Sequence, residues 1–114
     1  MDVEAIVARR LKAALGVPAF LEVPDSPPDS FIVVEQVGGG SRFQDPVALD
    51  VDCWAGKLAR KDAAALAMGV RDAIPDLDEE PNIFDPKPTN IYRSNDPETG
   101  RSRYTVQVSL RLCE

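Results

Sequence analysis

Asp50 and Asp52 stand two residues apart in a segment, 47–54, that alternates apolar and polar side chains. On an extended strand that spacing puts both carboxylates on one face. A pair so placed can ligate a cation or exchange protons with a substrate. Neither chemistry is completed here, because no third ligand stands at a suitable spacing, and a polar outer face explains the pair. A second acidic stretch holds Asp76, Asp78, Glu79, Glu80 and Asp85 against one base, Lys87. It lacks the turn glycine and the ligand spacing of an EF-hand. The chain has no histidine. That removes the common general base and metal ligand near neutral pH, and with it any Ser-His-Asp or Cys-His nucleophile system. Cys53 and Cys113 form no CxxC pair and are too few for a cysteine zinc site, so reduced thiols are expected. Gly38-Gly39-Gly40 begins a polar connection, but no Lys-Ser/Thr pair follows and the next element is a strand, so it is not a phosphate loop. No catalytic group and no cofactor are expected.

The balance of charge argues the same way. The 114 residues carry 19 acids and 13 bases, a net charge of −6. Affinity for nucleic acid comes largely from Lys and Arg on phosphates, so sequence-specific binding of DNA is not expected. Arg9-Arg10 and Arg60-Lys61 lie on helix faces, where they read as solvated charge. Asp2 and Glu4 do not suit a signal peptide, and uncharged stretches such as 63–70 fall far short of the ~20 apolar residues of a membrane span. A cytoplasmically made, soluble chain with no membrane partner is expected.

The elements that must position these residues follow from local spacing. Length gives one domain, 1–114, large enough to bury roughly 65% of its unfolded surface. Residues 2–15 predict a helix capped by Asp2, with Val3, Ile6, Val7, Leu11, Ala14 and Leu15 as its apolar stripe and Gly16 as its stop. Residues 19–23 predict a short edge strand, and Pro24, Pro27 and Pro28 a loop. Residues 31–37 are apolar on both faces. Phe31, Val33 and Val37 lie on one face, and Ile32 and Val34 on the other. A strand of this kind is covered on both sides; the chain's own helices supply one cover, and a neighbouring subunit is the expected other, with Ile32 and Val34 as the interface residues. Residues 38–46 read either as a long hairpin loop or as a contact loop anchored by Arg42 and Phe43. Residues 58–74 predict an Ala-rich helix whose buried stripe includes Leu58, Leu66, Val70 and Ile74. Residues 75–88 read as a long connection. Segments 89–94 and 101–112 read as a hairpin with Tyr104, Val106, Val108, Leu110 and Leu112 facing in.

This order, with Val33-Val34-Glu35-Gln36-Val37-Gly38-Gly39-Gly40, Val51-Asp52-Cys53-Trp54-Ala55, the helix at 63–67, Asp96-Pro97-Glu98-Thr99-Gly100 and Arg103-Tyr104, resembles the tail terminator proteins of long-tailed (siphovirus-type) bacteriophages and prophages. The likeness spans almost the whole chain and includes no catalytic fingerprint. It implies an α+β fold, an antiparallel sheet with two helices packed on one face. It also implies a homo-oligomer, a hexameric ring that caps the tail tube, ends its polymerisation and offers a surface for head docking. Its partners would be the major tail tube protein and a head-completion or connector protein. The expected location is the tail or neck of a virion assembled in the host bacterial cytoplasm. On this reading Gly38, Gly39, Gly40, Arg42, Phe43 and Asp45 form an assembly loop, and Asp76, Asp78, Glu79 and Glu80 an acidic loop facing the lumen, where like charge would repel passing DNA. Head-tail connector and tail completion (neck) proteins share this size and a similar topology and form the alternative.

Overall fold

A computed structural model describes residues 2–39 and 46–113. Helix α1 is Val3–Leu15; the Asp2 carboxylate accepts from Ala5 N at 3.1 Å, and Gly16 ends the helix in the left-handed region at φ 68°. The strands are β1 Ala19–Phe20, β2 Phe31–Gly39, β3 Pro46–Lys57, β4 Ile83–Arg93 and β5 Arg101–Leu112. Helix α2, Arg60–Ala73, lies between β3 and β4 and continues into a 3-10 turn, Ile74–Glu79. The sheet order is β1-β2-β3-β5-β4. The fold is therefore α+β, as expected, with one difference: β1 runs parallel to β2, so the sheet is mixed.

Alternation places Ile32 and Val34 of β2, Val47, Leu49, Val51 and Cys53 of β3, and Val106, Val108 and Leu110 of β5 on one face. Val3, Val7 and Leu11 of α1 and Ala67 and Val70 of α2 close over that face, followed by Ile74, Leu77 and Ile83. Ile32 and Val34 are each 0% exposed. This corrects their assignment to a subunit interface: the chain's own helices already cover them, and they have no surface to offer a neighbour. The opposite face of the same strand segment is also sheltered within the chain, because Phe31 and Val33 pack with Trp54 and with half-buried Phe20.

Two further expectations are corrected. Leu58 is not part of the buried stripe; it is fully exposed, at φ 56°, in the turn before α2. The connection at 75–88 is in fact the 3-10 turn followed by the first half of β4. Pro86 and Pro88 fall within this stretch, and they are tolerated because β4 is an outer strand, where a missing N–H need not face a partner. The strand accommodates them with register breaks between Phe84 and Lys87 and between Pro88 and Asn90.

Gly39 ends β2 at φ 80°, and a Cβ there would overlap the Pro46 carbonyl. Gly39→Ala is expected to cost roughly 1–3 kcal/mol in urea unfolding, because both the backbone angle and the close approach exclude a side chain. An unchanged midpoint would show that the two strands can part here without loss.

Candidate assembly surface

Helices cover one face of the sheet. The other face carries the chain's polar and aromatic groups, and the strand register decides which of them meet. Trp54 stacks on Phe31 with ring centroids 5.5 Å apart and planes 8° apart, while Phe20 meets Phe31 edge-on at 5.8 Å. Two arginines from β5 lie over these rings: Arg101 sits 5.2 Å from the Phe31 centroid and Arg103 4.7 Å from the Trp54 centroid. A guanidinium over an aromatic face is favoured by the ring quadrupole and also shields the apolar surface from water.

Arg101 does more than cover a ring. Its Nε donates to the Ala55 carbonyl at 2.9 Å, and its Nη2 to the carbonyls of Pro28 at 2.8 Å and Asp29 at 2.7 Å. It therefore ties β5, β3 and the approach to β2 together. Sequence reasoning gave Arg101 no role; its position at the start of a strand facing an aromatic cluster was the available signal, legible only once the strands are paired. Arg103 Nε donates to the Ser94 carbonyl at 2.7 Å and so secures the β4–β5 turn.

Asp50 and Asp52 share this helix-free face, as their spacing required. Thr105 donates its hydroxyl to Asp52 Oδ1 at 2.8 Å, and Ser94 lies 2.8 Å from the Thr105 hydroxyl. Asp50 is less well served: its Oδ1 is buried with no hydrogen-bond partner among the described residues. Burial pushes the Asp50 carboxyl above its ordinary value, nearby Asp52 adds to the shift, and a hydrogen bond from Gln107 partly offsets it. In register, Asp50 also stands opposite Glu35 on β2, a like-charge pair. Among the described residues no three His, Cys, Asp or Glu side chains gather in a way that could hold a metal ion.

Because the native fold binds the Asp50 proton more tightly than the unfolded chain does, ionisation of Asp50 works against folding. The cost is absent below the ordinary carboxylate range, appears as pH rises through it, and is complete above the raised native value. Asp50→Asn is thus expected to raise Tm at pH 7, and the gain should disappear near pH 3. A lower Tm at pH 7 would show instead that the charge is needed.

Both cysteines are free. Burial, reinforced by Asp52, pushes the Cys53 thiol up to about 12. It behaves as a small apolar core residue and is not a nucleophile.

A groove of about 1010 Å³ opens at the β1–β2 end of the helix-free face. Phe20, Val33 and Trp54 contribute its apolar lining and Glu4, Glu22, Glu35 and Asp52 its acids, with Arg103 as the lone base. Its edge is partly closed by Glu4, whose carboxylate accepts from Gln36 N at 2.7 Å. Gly38 and Gly39 end β2 beyond it. Gly40, Arg42, Phe43 and Asp45 lie outside the described residues.

The expected acidic loop is divided. Asp76, Asp78 and Glu79 belong to the 3-10 turn, and Glu80 caps it. Glu79 pairs with Arg10 at 2.7 Å, and Glu80 pairs with Arg9 at 3.0 Å and Arg10 at 3.8 Å. Arg10 also donates to the Asp76 carbonyl at 3.1 Å. Two of the four acids are therefore paired with arginines of α1 and join helix to turn. Asp76 and Asp78 remain exposed.

No protein-family model and no curated protein matches this chain. Among solved structures, the fold is similar to a chain in the virion of a native gene transfer agent (GTA) particle. The similarity has a TM-score of 0.63 and covers 96% of this chain and 93% of that one, at 13% sequence identity. At that identity the likeness is one of fold. No helix among the described residues is long and apolar enough to cross a membrane.

Proposed function

We propose that this chain is a structural protein of a phage-type virion, and within that class a tail terminator. Copies of it close into a ring, six in number on the family resemblance, that caps the tail tube, stops its growth and receives the head-completion or connector protein. The reading assigns it no catalysis and no cofactor. The observation that carries it is the near end-to-end fold similarity to a virion chain, since the match covers 96% of one and 93% of the other. The sequence resemblance points to the same class. The helix-free face adds physical support: it exposes Leu21 and Val23 beside a groove lined by carboxylates, a surface suited to contact with another protein.

The test is to add the purified protein to polymerising major tail tube protein and inspect the product by electron microscopy. The expected result is a ring on one end of each tube and an arrest of elongation. Tubes that grow unhindered while the protein binds the connector would move it to the neck. Binding to neither would end the virion reading.

A further inference from the structure

The helix-free face has two margins of opposite character. At the β1–β2 margin, Leu21 and Val23 are exposed beside the groove, and Val37 is exposed on β2. The charges there are those of Glu4, Glu22, Glu35 and Asp52, four acids against the single base Arg103. The β4 margin, at the far side of the sheet, exposes Phe84 and Tyr92. Register places Phe84 beside Arg111, Lys87 beside Ser109, and Tyr92 beside Thr105, so this margin carries aromatic rings and basic groups. Among the described residues the other large exposed apolar side chains, Leu58 and Met68, belong to the α2 turn and helix.

We infer that these margins are the two halves of one contact between copies of this chain, the basic aromatic margin of one copy seating in the acidic apolar groove of the next. The inference rests on the ring reading above and supplies its interface. Charge complementarity selects a second copy as the occupant: the groove needs a cationic, apolar partner, and the chain presents one at its opposite sheet margin. The groove's acids also leave a local imbalance within one copy. Glu35 faces Asp50 across the β2–β3 ladder, and no ion pair reaches either among the described residues. Lys87 or Arg111 arriving from outside would offset that repulsion. On its own copy Lys87 pairs, among the described residues, only with the exposed Asp85, at 3.4 Å.

The contact is made by side chains and is not a continued sheet. Pro86, Pro88 and the two register breaks prevent the outer edge of β4 from presenting a regular ladder. Because the two surfaces differ, the contact is head-to-tail, and such a contact closes into a ring when the rotation between successive copies divides a full turn. Trp54 lies at the groove, and its Nε1 has no partner within the chain among the described residues.

The experiment uses two full-length variants, a groove variant (Glu22→Lys with Glu35→Lys) and a margin variant (Lys87→Glu with Arg111→Glu), read by sedimentation velocity and native mass spectrometry. The wild type is expected to assemble beyond a dimer. Each variant alone opposes like charges and should stay monomeric at concentrations where the wild type is fully assembled. Mixed in equal amounts they become complementary again and should regain assembly as alternating 1:1 rings. That rescue excludes misfolding as the cause of the losses. If circular dichroism shows that a variant has not folded, the neutral forms Glu35→Gln and Lys87→Gln replace it, each expected to weaken assembly at least tenfold. Variants that assemble like the wild type, or a mixture as monomeric as its components, would overturn the contact. A wild-type chain monomeric at every concentration would also overturn it and leave the virion role to the tube-capping test. If that monomer's binding to tail tube protein were lost in the groove variant, the groove would belong to the tube.

Discussion

Ile32→Ala is expected to lower the free energy of unfolding by about 2–5 kcal/mol, with a reduced urea midpoint and an unchanged slope. The side chain is fully enclosed between the sheet and α1. Removing three of its carbons forfeits their burial and opens a cavity that the surrounding β-branched residues cannot readily fill. Val34→Ala should follow with a smaller loss, since fewer atoms are removed. The decisive readout is concentration. A residue in a subunit contact stabilises by mass action, so its loss would depend on how much protein is present. A core residue gives the same loss at every concentration, as expected here. A loss confined to high concentrations would return Ile32 to an interface.

Replacing Arg101 with alanine should cost about 2–4 kcal/mol, an effect comparable to that of a core truncation. Three carbonyls, those of Ala55, Pro28 and Asp29, lose a charged donor, and Phe31 loses the guanidinium above its ring. Hydrogen bonds to charged donors are worth more than neutral ones, and a carbonyl left without its partner adds its own desolvation cost. Arg101→Lys should recover less than half. An ammonium is a compact point charge and cannot reach three carbonyls spread around a planar fork. Equal stability of the Lys variant and the wild type would show that charge alone matters there. The consequence extends to assembly, because Phe31 and Trp54 form one stack beneath the groove. A variant that loosens the stack should also weaken contact between copies.

Much of the architecture was legible because it depends on neighbours in sequence. The helix at 2–15 begins at a capping aspartate and ends at a left-handed glycine, as its residues predict. The alternation of 47–54 and 104–112 told which residues face the core, including Val47, Leu49 and Val51. The shared face of Asp50 and Asp52 followed from the same period. Other features were not legible. Leu58 fits a helical stripe by spacing, yet the chain turns before the helix begins and leaves it in water. Pro86 and Pro88 look like loop residues until β4 is known to be an outer strand. Glu79 and Glu80 look unopposed until α1 brings Arg9 and Arg10 to them from some seventy positions away.

Spacing by itself therefore determined which residues could share a face and where the first helix starts and stops, and composition that no histidine-based chemistry is available. Tertiary structure alone decided what covers each face. It set the helices on Ile32 and Val34, the aromatic stack on Phe31 and Val33, and left an acidic groove at one sheet margin and a basic aromatic strip at the other. The reason is physical. Periodicity is imposed by backbone geometry over a few residues, whereas burial and charge pairing are set by the path that brings distant segments together.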